Sequence, residues 1–330
     1  MSSLRRPKYL SPSSLMQWEK DPAEFYLQRL AEVAPPKMPQ TVPMAIGSAF
    51  DAFVKAEMGG LKSEALQTLF DSQVELRGED RAFVIDAGTY CMHVYKESGA
   101  MACLLQDARW VAEGKAPMYE ASLTKDICMP GSLHGVPILG KPDCAIPLVN
   151  GGMLVIDWKV NGYMSTSGVS PNKGYVALRE IGSTSEVKRH KSCTPECLGT
   201  VEGTDILMNL CVPLEDVNAD WALQVCTYAW LFGAEVGSVI VAGIDQLACK
   251  DLGMGRGVPP KIRVASFRNY IGEDFQYGVM QRYATLWEVL GWEDDRLRDH
   301  LQGRGIDCAG LDIIAASYAG AGSGVTGRIR

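Results

Sequence analysis

No apolar run in this chain approaches the ~20 residues that a helix needs to span a bilayer. Met1–Lys8 lacks the apolar core of a secretory signal. Ten cysteines are present, but with neither the regular spacing of a disulfide framework nor a C-x-x-C pair. These absences give the expectation of a cytoplasmic protein with reduced thiols and no membrane partner. Common catalytic signatures are missing as well. There is no Gly-rich phosphate loop between a strand and a helix, no Ser nucleophile elbow and no H-E-x-x-H. Excess positive charge is also lacking, since the formal net charge is −7. Proteins that coat a long duplex usually present a basic surface, because phosphate neutralisation supplies most non-specific affinity. Action on nucleic acid would therefore need positive charge concentrated locally, with a metal ion supplying the rest.

What is present is ordinary for a globular protein: 330 residues, 47% apolar and 22% charged. That is ample length for a buried core. Residues 12–30 and 44–58 read as helices separated by the breaker from Pro35-Pro36 to Pro43. Residues 62–115 read as largely helical. Leu61, Leu66, Leu69, Phe70 and Val74 form one apolar stripe, and Phe83, Val84, Tyr90 and Val94 another. Strands begin between Tyr119 and Ile127 and continue near 136–146 and 153–160. A long connection follows from Asn161 to about Asn218, well beyond ordinary loop length, and reads as an insertion with a task or a flexible flap. After a helix over Asp220–Phe232 come strands at Val239–Ile244 and Ile262–Phe267. A further helix near Asp274–Leu290 puts Phe275, Val279, Tyr283, Leu286 and Leu290 on one face. The Gly- and Ala-rich tail from about Ala319 is expected to be poorly ordered.

The chemistry concentrates in Gly140-Lys-Pro-Asp143 and Val155-Ile-Asp157-Trp-Lys159. Alternate strand residues share a face, so Asp157 and Lys159 point one way. Leu154, Ile156, Trp158 and Val160 point the other way, into a core. Gly151-Gly152 offers the turn that folds this strand back and brings Asp143 towards Asp157. Two carboxylates and an ammonium so arranged suit a divalent cation beside a phosphate. A structural Asp–Lys ion pair is the alternative. On the later helix, Gln224 and Tyr228 lie four residues apart and so share a face, with Asn218 or Asp220 as its cap.

The Asp143…Asp157-x-Lys159 pattern followed by Gln224-x-x-x-Tyr228 resembles the PD-(D/E)XK nuclease superfamily, in its RecB-like branch. Leu10-Ser-Pro-Ser-Ser-Leu15 with Trp18 and Asp21-Pro22-Ala-Glu-Phe25-Tyr26 resembles the opening helix of that branch, and Gly47-Ser-Ala-Phe-Asp51 stands at its G-x-x-x-H motif. The likeness covers roughly residues 9–30, 44–57, 118–160 and 215–245. It implies an α/β (α+β) fold with a restriction-endonuclease-like core, a mixed central β-sheet flanked by helices. The expected layout is a single domain over 1–318. It comprises a helical part over 1–115, a catalytic hairpin over 116–160, an insertion over 161–217, the Gln–Tyr helix with strands and a C-terminal helix over 218–318, and a tail over 319–330.

The resemblance further implies a Mg²⁺- or Mn²⁺-dependent deoxyribonuclease, an exonuclease of recombination, repair or phage DNA processing, in the host cytoplasm if phage-encoded. Its partners would be DNA and a recombination protein. Asp143, Asp157, Lys159, Gln224 and Tyr228 would be catalytic. Asp143, Asp157 and the Trp158 carbonyl would hold the metal, joined by Asp51 and Glu120. Asp51 replaces the branch's His and could instead pair with Lys55, one helical turn away; Glu120 could be a paired surface carboxylate. Asp21 stands where cluster-containing relatives have Cys, and the C-terminal region has only Cys308, so no iron–sulfur cluster is expected.

Within the insertion, Lys173, Arg179, Lys188, Arg189 and Lys191 are candidate DNA contacts. Each basic patch, like Arg5-Arg6 with Lys8, could equally be a solvated loop or tail. His190, Cys193 and Cys197 could contribute three zinc ligands, but a fourth is lacking and zinc is not expected. Two other readings stay open: a non-catalytic DNA-binding or assembly protein on the same fold, and an unrelated enzyme whose Asp–Lys pair is structural.

Overall fold

A computed structural model describes residues 3–62, 64–119, 122–132, 134–169, 177–180, 195–253 and 255–321. Glu120, Lys173, Lys188, Arg189, His190, Lys191 and Cys193 lie outside the described residues, and Arg179 is described by its backbone. The protein is mixed α/β. Its helices are α1 (Pro12–Lys20), α2 (Pro22–Phe25), α3 (Val42–Gly59), α4 (Glu64–Gln73), α5 (Gly78–Glu97), α6 (Ala100–Asp107), α7 (Leu214–Leu231), α8 (Glu273–Leu290), α9 (Asp294–Gly303) and α10 (Cys308–Ala321). The strands are β1 (Met118–Tyr119), β2 (Leu123–Cys128), β3 (Gly135–Gly140), β4 (Cys144–Pro147), β5 (Met153–Asn161), β6 (Ala177–Glu180), β7 (Leu198–Thr200), β8 (Leu207–Asn209), β9 (Ile240–Lys250) and β10 (Lys261–Tyr270). No helix among the described residues is long and apolar enough to cross a membrane. Nine cysteines are described, all as free thiols.

The chain divides into two compact units. One comprises Met1–Met38, Leu123–Gly140 and Gln276–Arg330. Its first helix starts on a reciprocal cap: the Ser14 backbone N–H donates to Ser11 Oγ at 3.2 Å, and the Ser11 N–H donates to Ser14 Oγ at 2.7 Å. Pro12 in the first turn needs no donor there, so the Ser-Pro-Ser-Ser run is explained as a helix start. Asp21 ends α1 and caps α2 by accepting from the Glu24 N–H at 3.0 Å. Tyr26–Leu30 then makes a π-helical turn. There Arg298 bridges the Tyr26 hydroxyl at 2.7 Å and Asp312 at 2.9 Å. β2 and β3 form an antiparallel hairpin, onto which Leu10 pairs through Pro137 and Leu139.

The other unit comprises Pro39–Ser122 and Lys141–Phe275. Its sheet runs β1-β4-β5-β9-β10-β8-β7, with β6 also paired to β10. β4 and β5 are antiparallel, β5 and β9 parallel, and β9 and β10 antiparallel. β5 reads Met-Leu-Val-Ile-Asp-Trp and is buried throughout that run. Near-continuous burial fits a parallel strand covered on both faces. Leu154, Ile156 and Trp158 join a core with Ile46, Phe50, Tyr95 and Leu104. Each such side chain removed from water contributes about 1.5–3 kcal/mol. α3 packs on β5, α5 and α6 on β10, and α7 on β5 and β9.

The strand expected over 136–146 is two strands in different sheets, interrupted at Lys141-Pro142-Asp143, because Pro142 cannot donate to a ladder. Asp143 therefore sits just outside β4 rather than inside a strand. Pro43 belongs to the first turn of α3 rather than to the breaker before it. The long connection is not wholly irregular, since β6, β7 and β8 all join the sheet. α7 begins earlier than expected but is interrupted at Asn218, whose side chain accepts from the Trp221 N–H at 3.1 Å and restarts the helix. α9 and α10 go beyond the sequence expectations. α10 runs to Ala321, so the tail expected from Ala319 begins as helix, and its remainder lies outside the described residues.

A buried ionic network braces the sheet beside β5. Asp245 pairs in register with Trp158. Arg268 donates to Asp245 at 2.9 Å and to Asp107 at 2.9 Å, and the Tyr95 hydroxyl donates to the other Asp245 oxygen. Gly243 makes room for it: a Cβ there would meet Ile156 Cγ1 at 2.9 Å and Arg268 Nε at 3.3 Å. Removing one partner strands an opposite buried charge, which costs about 3–5 kcal/mol. Arg268→Met should lower stability by about that amount in urea unfolding followed by tryptophan fluorescence; an unchanged midpoint would refute the bracing role.

Candidate active site

The β4–β5 hairpin builds the acidic corner. Its turn passes through Gly151 at φ +83°, a left-handed conformation that suits glycine, and Pro147 pairs with Met153 and Cys144 with Ile156. One further step in that register sets Asp143 opposite Asp157. The contacts agree: Asp143 Oδ2 accepts from the Trp158 backbone N–H at 3.1 Å, and the two carboxyl groups lie within hydrogen-bond reach of each other. In a strand, one residue's N–H and C=O face the same neighbour, so the Trp158 carbonyl lies on the edge towards Asp143.

Asp157 and Lys159 share the face opposite Leu154, Ile156 and Trp158, and Lys159 Nζ closes on Asp157 Oδ2. That contact is an ion pair lacking the directionality of a hydrogen bond. Behind Lys159, the Gln224 Oε1 accepts from Nζ at 3.2 Å, and Gln224 Nε2 donates to the Tyr228 hydroxyl at 2.9 Å. One face of α7 thus holds the lysine head from behind. On α3, the Lys55 ammonium contacts Asp51 Oδ2 and lies 5.8 Å from the Trp158 ring centroid. Asp157 and Lys55 are each only 2% exposed.

Asp143 is part-exposed as a residue, yet its carboxyl group is packed within protein. Burial, then the charges of Asp157 and Asp51 and the hydrogen bond to Asp157, push it well above the ordinary carboxylate range, while Lys55 offsets part of the rise. For Lys159 burial acts downward, but Asp157, with Asp143 and Asp51, holds it above its ordinary value. Lys159 therefore stays charged at neutral pH.

These groups open into a polar cleft of about 390 Å³. Lys141 stands at its rim, together with Gly47 and Ser48 of α3 and Ser72 and Gln73 of α4. A larger hollow of about 580 Å³ lies between the β4–β5 turn and the end of α7, but Lys115 and Glu235 are its charged lining residues and no acid pair faces it. Among the described residues, no three His, Cys, Asp or Glu side chains stand together at metal-ligand spacing. The acidic set is a pair, with Asp51 drawn to Lys55.

No family model and no curated protein matches the chain. A solved structure described as "Crystal structure of SSO0001" aligns over 76% of this chain and 79% of that one, at 12% identity and a TM-score of 0.24, too low to carry an argument.

Of the residues expected at the site, Asp143, Asp157, Trp158, Lys159, Gln224 and Tyr228 converge. Asp51 lines the same cleft in an ion pair. Cys197 is partly buried, and the other two zinc candidates lie outside the described residues. Sequence reasoning did not select Lys141, Ser48, Ser72 or Gln73. Lys141 had a signal, because it directly precedes the Pro-Asp that opens β4. The end of α4 had none.

The raised folded-state pKa of Asp143 fixes the sign of a pH effect. The folded state binds the proton more tightly than the unfolded state, so its stability falls as pH rises above about 4, the unfolded value. Asp143→Asn removes that loss. Without divalent metal the variant should melt above wild type at neutral pH, with the gap closing towards pH 4; a lower melting temperature at pH 7 would refute the repulsive pair.

Proposed function

We propose that this chain is a metal-dependent deoxyribonuclease of the PD-(D/E)XK type in its RecB-like branch, acting on DNA ends in recombination, repair or phage DNA processing. The observation carrying the reading is the convergence of Asp143, Asp157 and Lys159 in an open polar cleft, with Gln224 and Tyr228 behind the lysine. Action at ends is taken from the resemblance to that branch.

The residues fit a hard divalent cation through their oxygens. Two juxtaposed buried carboxylates repel one another, and a cation between them would relieve that repulsion. Asp143, Asp157 and the Trp158 carbonyl would hold Mg²⁺ or Mn²⁺. When bound, such an ion makes a water nucleophilic near neutral pH and offsets charge on the phosphate. Lys159, held charged by Asp157 and aimed by Gln224, orients the attacked phosphate and steadies the charge that develops on it. Tyr228 fixes the Gln224 amide. The DNA backbone would be met by Lys141 at the rim and by Lys173, Arg179, Lys188, Arg189 and Lys191. A second reading, a DNA-binding protein without turnover, is favoured by the engagement of Asp51 with Lys55, which leaves no third acid at metal-ligand spacing among the described residues.

The deciding experiment incubates purified protein with end-labelled linear DNA and closed circular DNA, in Mn²⁺, Mg²⁺ or chelator. Linear DNA should be degraded, circles spared and chelated samples inert; binding without hydrolysis would favour the second reading. Asp157→Ala and Lys159→Ala should each lower cleavage by about two orders of magnitude or more while leaving circular dichroism unchanged. Wild-type turnover by either would overturn the assignment. Replacing Lys188, Arg189 and Lys191 together by Ala should weaken DNA binding and flatten its salt dependence by about one unit of slope for each phosphate no longer neutralised.

A further inference from the structure

Lys55, buried behind the cleft against its lining residue Asp51, is the charge that the nuclease reading leaves unused. Lysine is almost never fully buried unless paired, and this one is 2% exposed on the buried side of α3. Its ammonium contacts Asp51, which lines the cleft together with Asp143 and Asp157, and faces the indole of Trp158 at 5.8 Å. A fixed positive charge therefore already stands on one side of the acid cluster. The other side is different. There Asp143 and Asp157 face each other, and the ammonium of Lys159 is shared between Asp157 and Gln224. The grouping of acids agrees, because Asp51 does not join the other two as a third ligand.

We propose that the Lys55 ammonium is a tethered cation occupying the place of a second metal ion, so that Asp51 serves Lys55 and the site binds one divalent ion, on Asp143 and Asp157. This rests on the nuclease reading and deepens it. A site for two hard ions needs oxygen ligands for both, and each carboxylate held by a buried ammonium is withdrawn from that set. Four methylenes and a Trp face keep the ammonium in place, where a solvated ion would exchange.

The test counts ions. Mn²⁺ alone is titrated into the full-length protein, with free Mn²⁺ followed by electron paramagnetic resonance and heat by calorimetry. Wild type should bind one ion per chain, and Asp51→Asn should still bind one. Lys55→Met, similar in volume but uncharged, should bind two, and the double variant Asp51→Asn/Lys55→Met should return to one. Two ions in wild type, loss of the ion in Asp51→Asn, or a single ion in a folded Lys55→Met protein would each overturn the inference while leaving the nuclease reading standing. Should Lys55→Met fail to fold, wild type and Asp51→Asn still decide. No bound ion in wild type would overturn the nuclease reading itself, and this inference with it.

Discussion

Like charge in a confined space is the constraint around which this site is built. Asp143 and Asp157 face one another across a hairpin, with little water to screen them. Left alone, such a pair raises its own proton affinity and destabilises the fold. The chain answers with positive charge from separate elements. Lys159 comes from the strand that carries Asp157, and Lys55 from the helix that carries Asp51. Neither removes the repulsion, which with burial pushes the Asp143 carboxyl well above the ordinary carboxylate range. That residual repulsion is the physical basis for expecting a divalent ion.

Keeping those charges in position requires a backbone that does not yield. β5 has β4 on one side and β9 on the other, and its alternate residues are anchored in the helical core. One residue pair away in register, the Arg268 network ties β9, β10, α5 and α6 together. The bracing is ionic on that face and apolar around it, so the strand is fixed both in register and in depth. Asp157 and Lys159 inherit their placement from this frame rather than from contacts of their own. Gln224 adds the last restraint, because a long lysine side chain otherwise loses considerable rotamer freedom when held.

How much could be read in advance depended on how local the signal was. Alternation along β5, the Gly151-Gly152 turn and the four-residue spacing of Gln224 and Tyr228 are local, and each gave the right element and face. Pro142 is local too, yet its consequence was not: it hands the chain from one sheet to another, which periodicity cannot show. β6 to β8 were missed because they are three or four residues long and gain their stability from β10 and from each other. The Arg268 network was equally hidden. Asp107, Asp245 and Arg268 are ordinary charged residues in sequence, and only tertiary packing buries them together. Lys55 was legible as a partner for Asp51, but its burial and its approach to Trp158 were not.

The acidic overall charge looks different once the site is resolved into parts. A net −7 is a property of the whole surface, whereas on the proposed reading a phosphate entering the cleft would meet Lys141 and Lys159. Metal binding would neutralise the acids that remain. On the proposed reading, Lys159, held charged beside Asp157, would meet the phosphate as a cation. The division of labour then follows from electrostatics alone. On the proposed reading, the carboxylates would gather the cation and the lysine the anion.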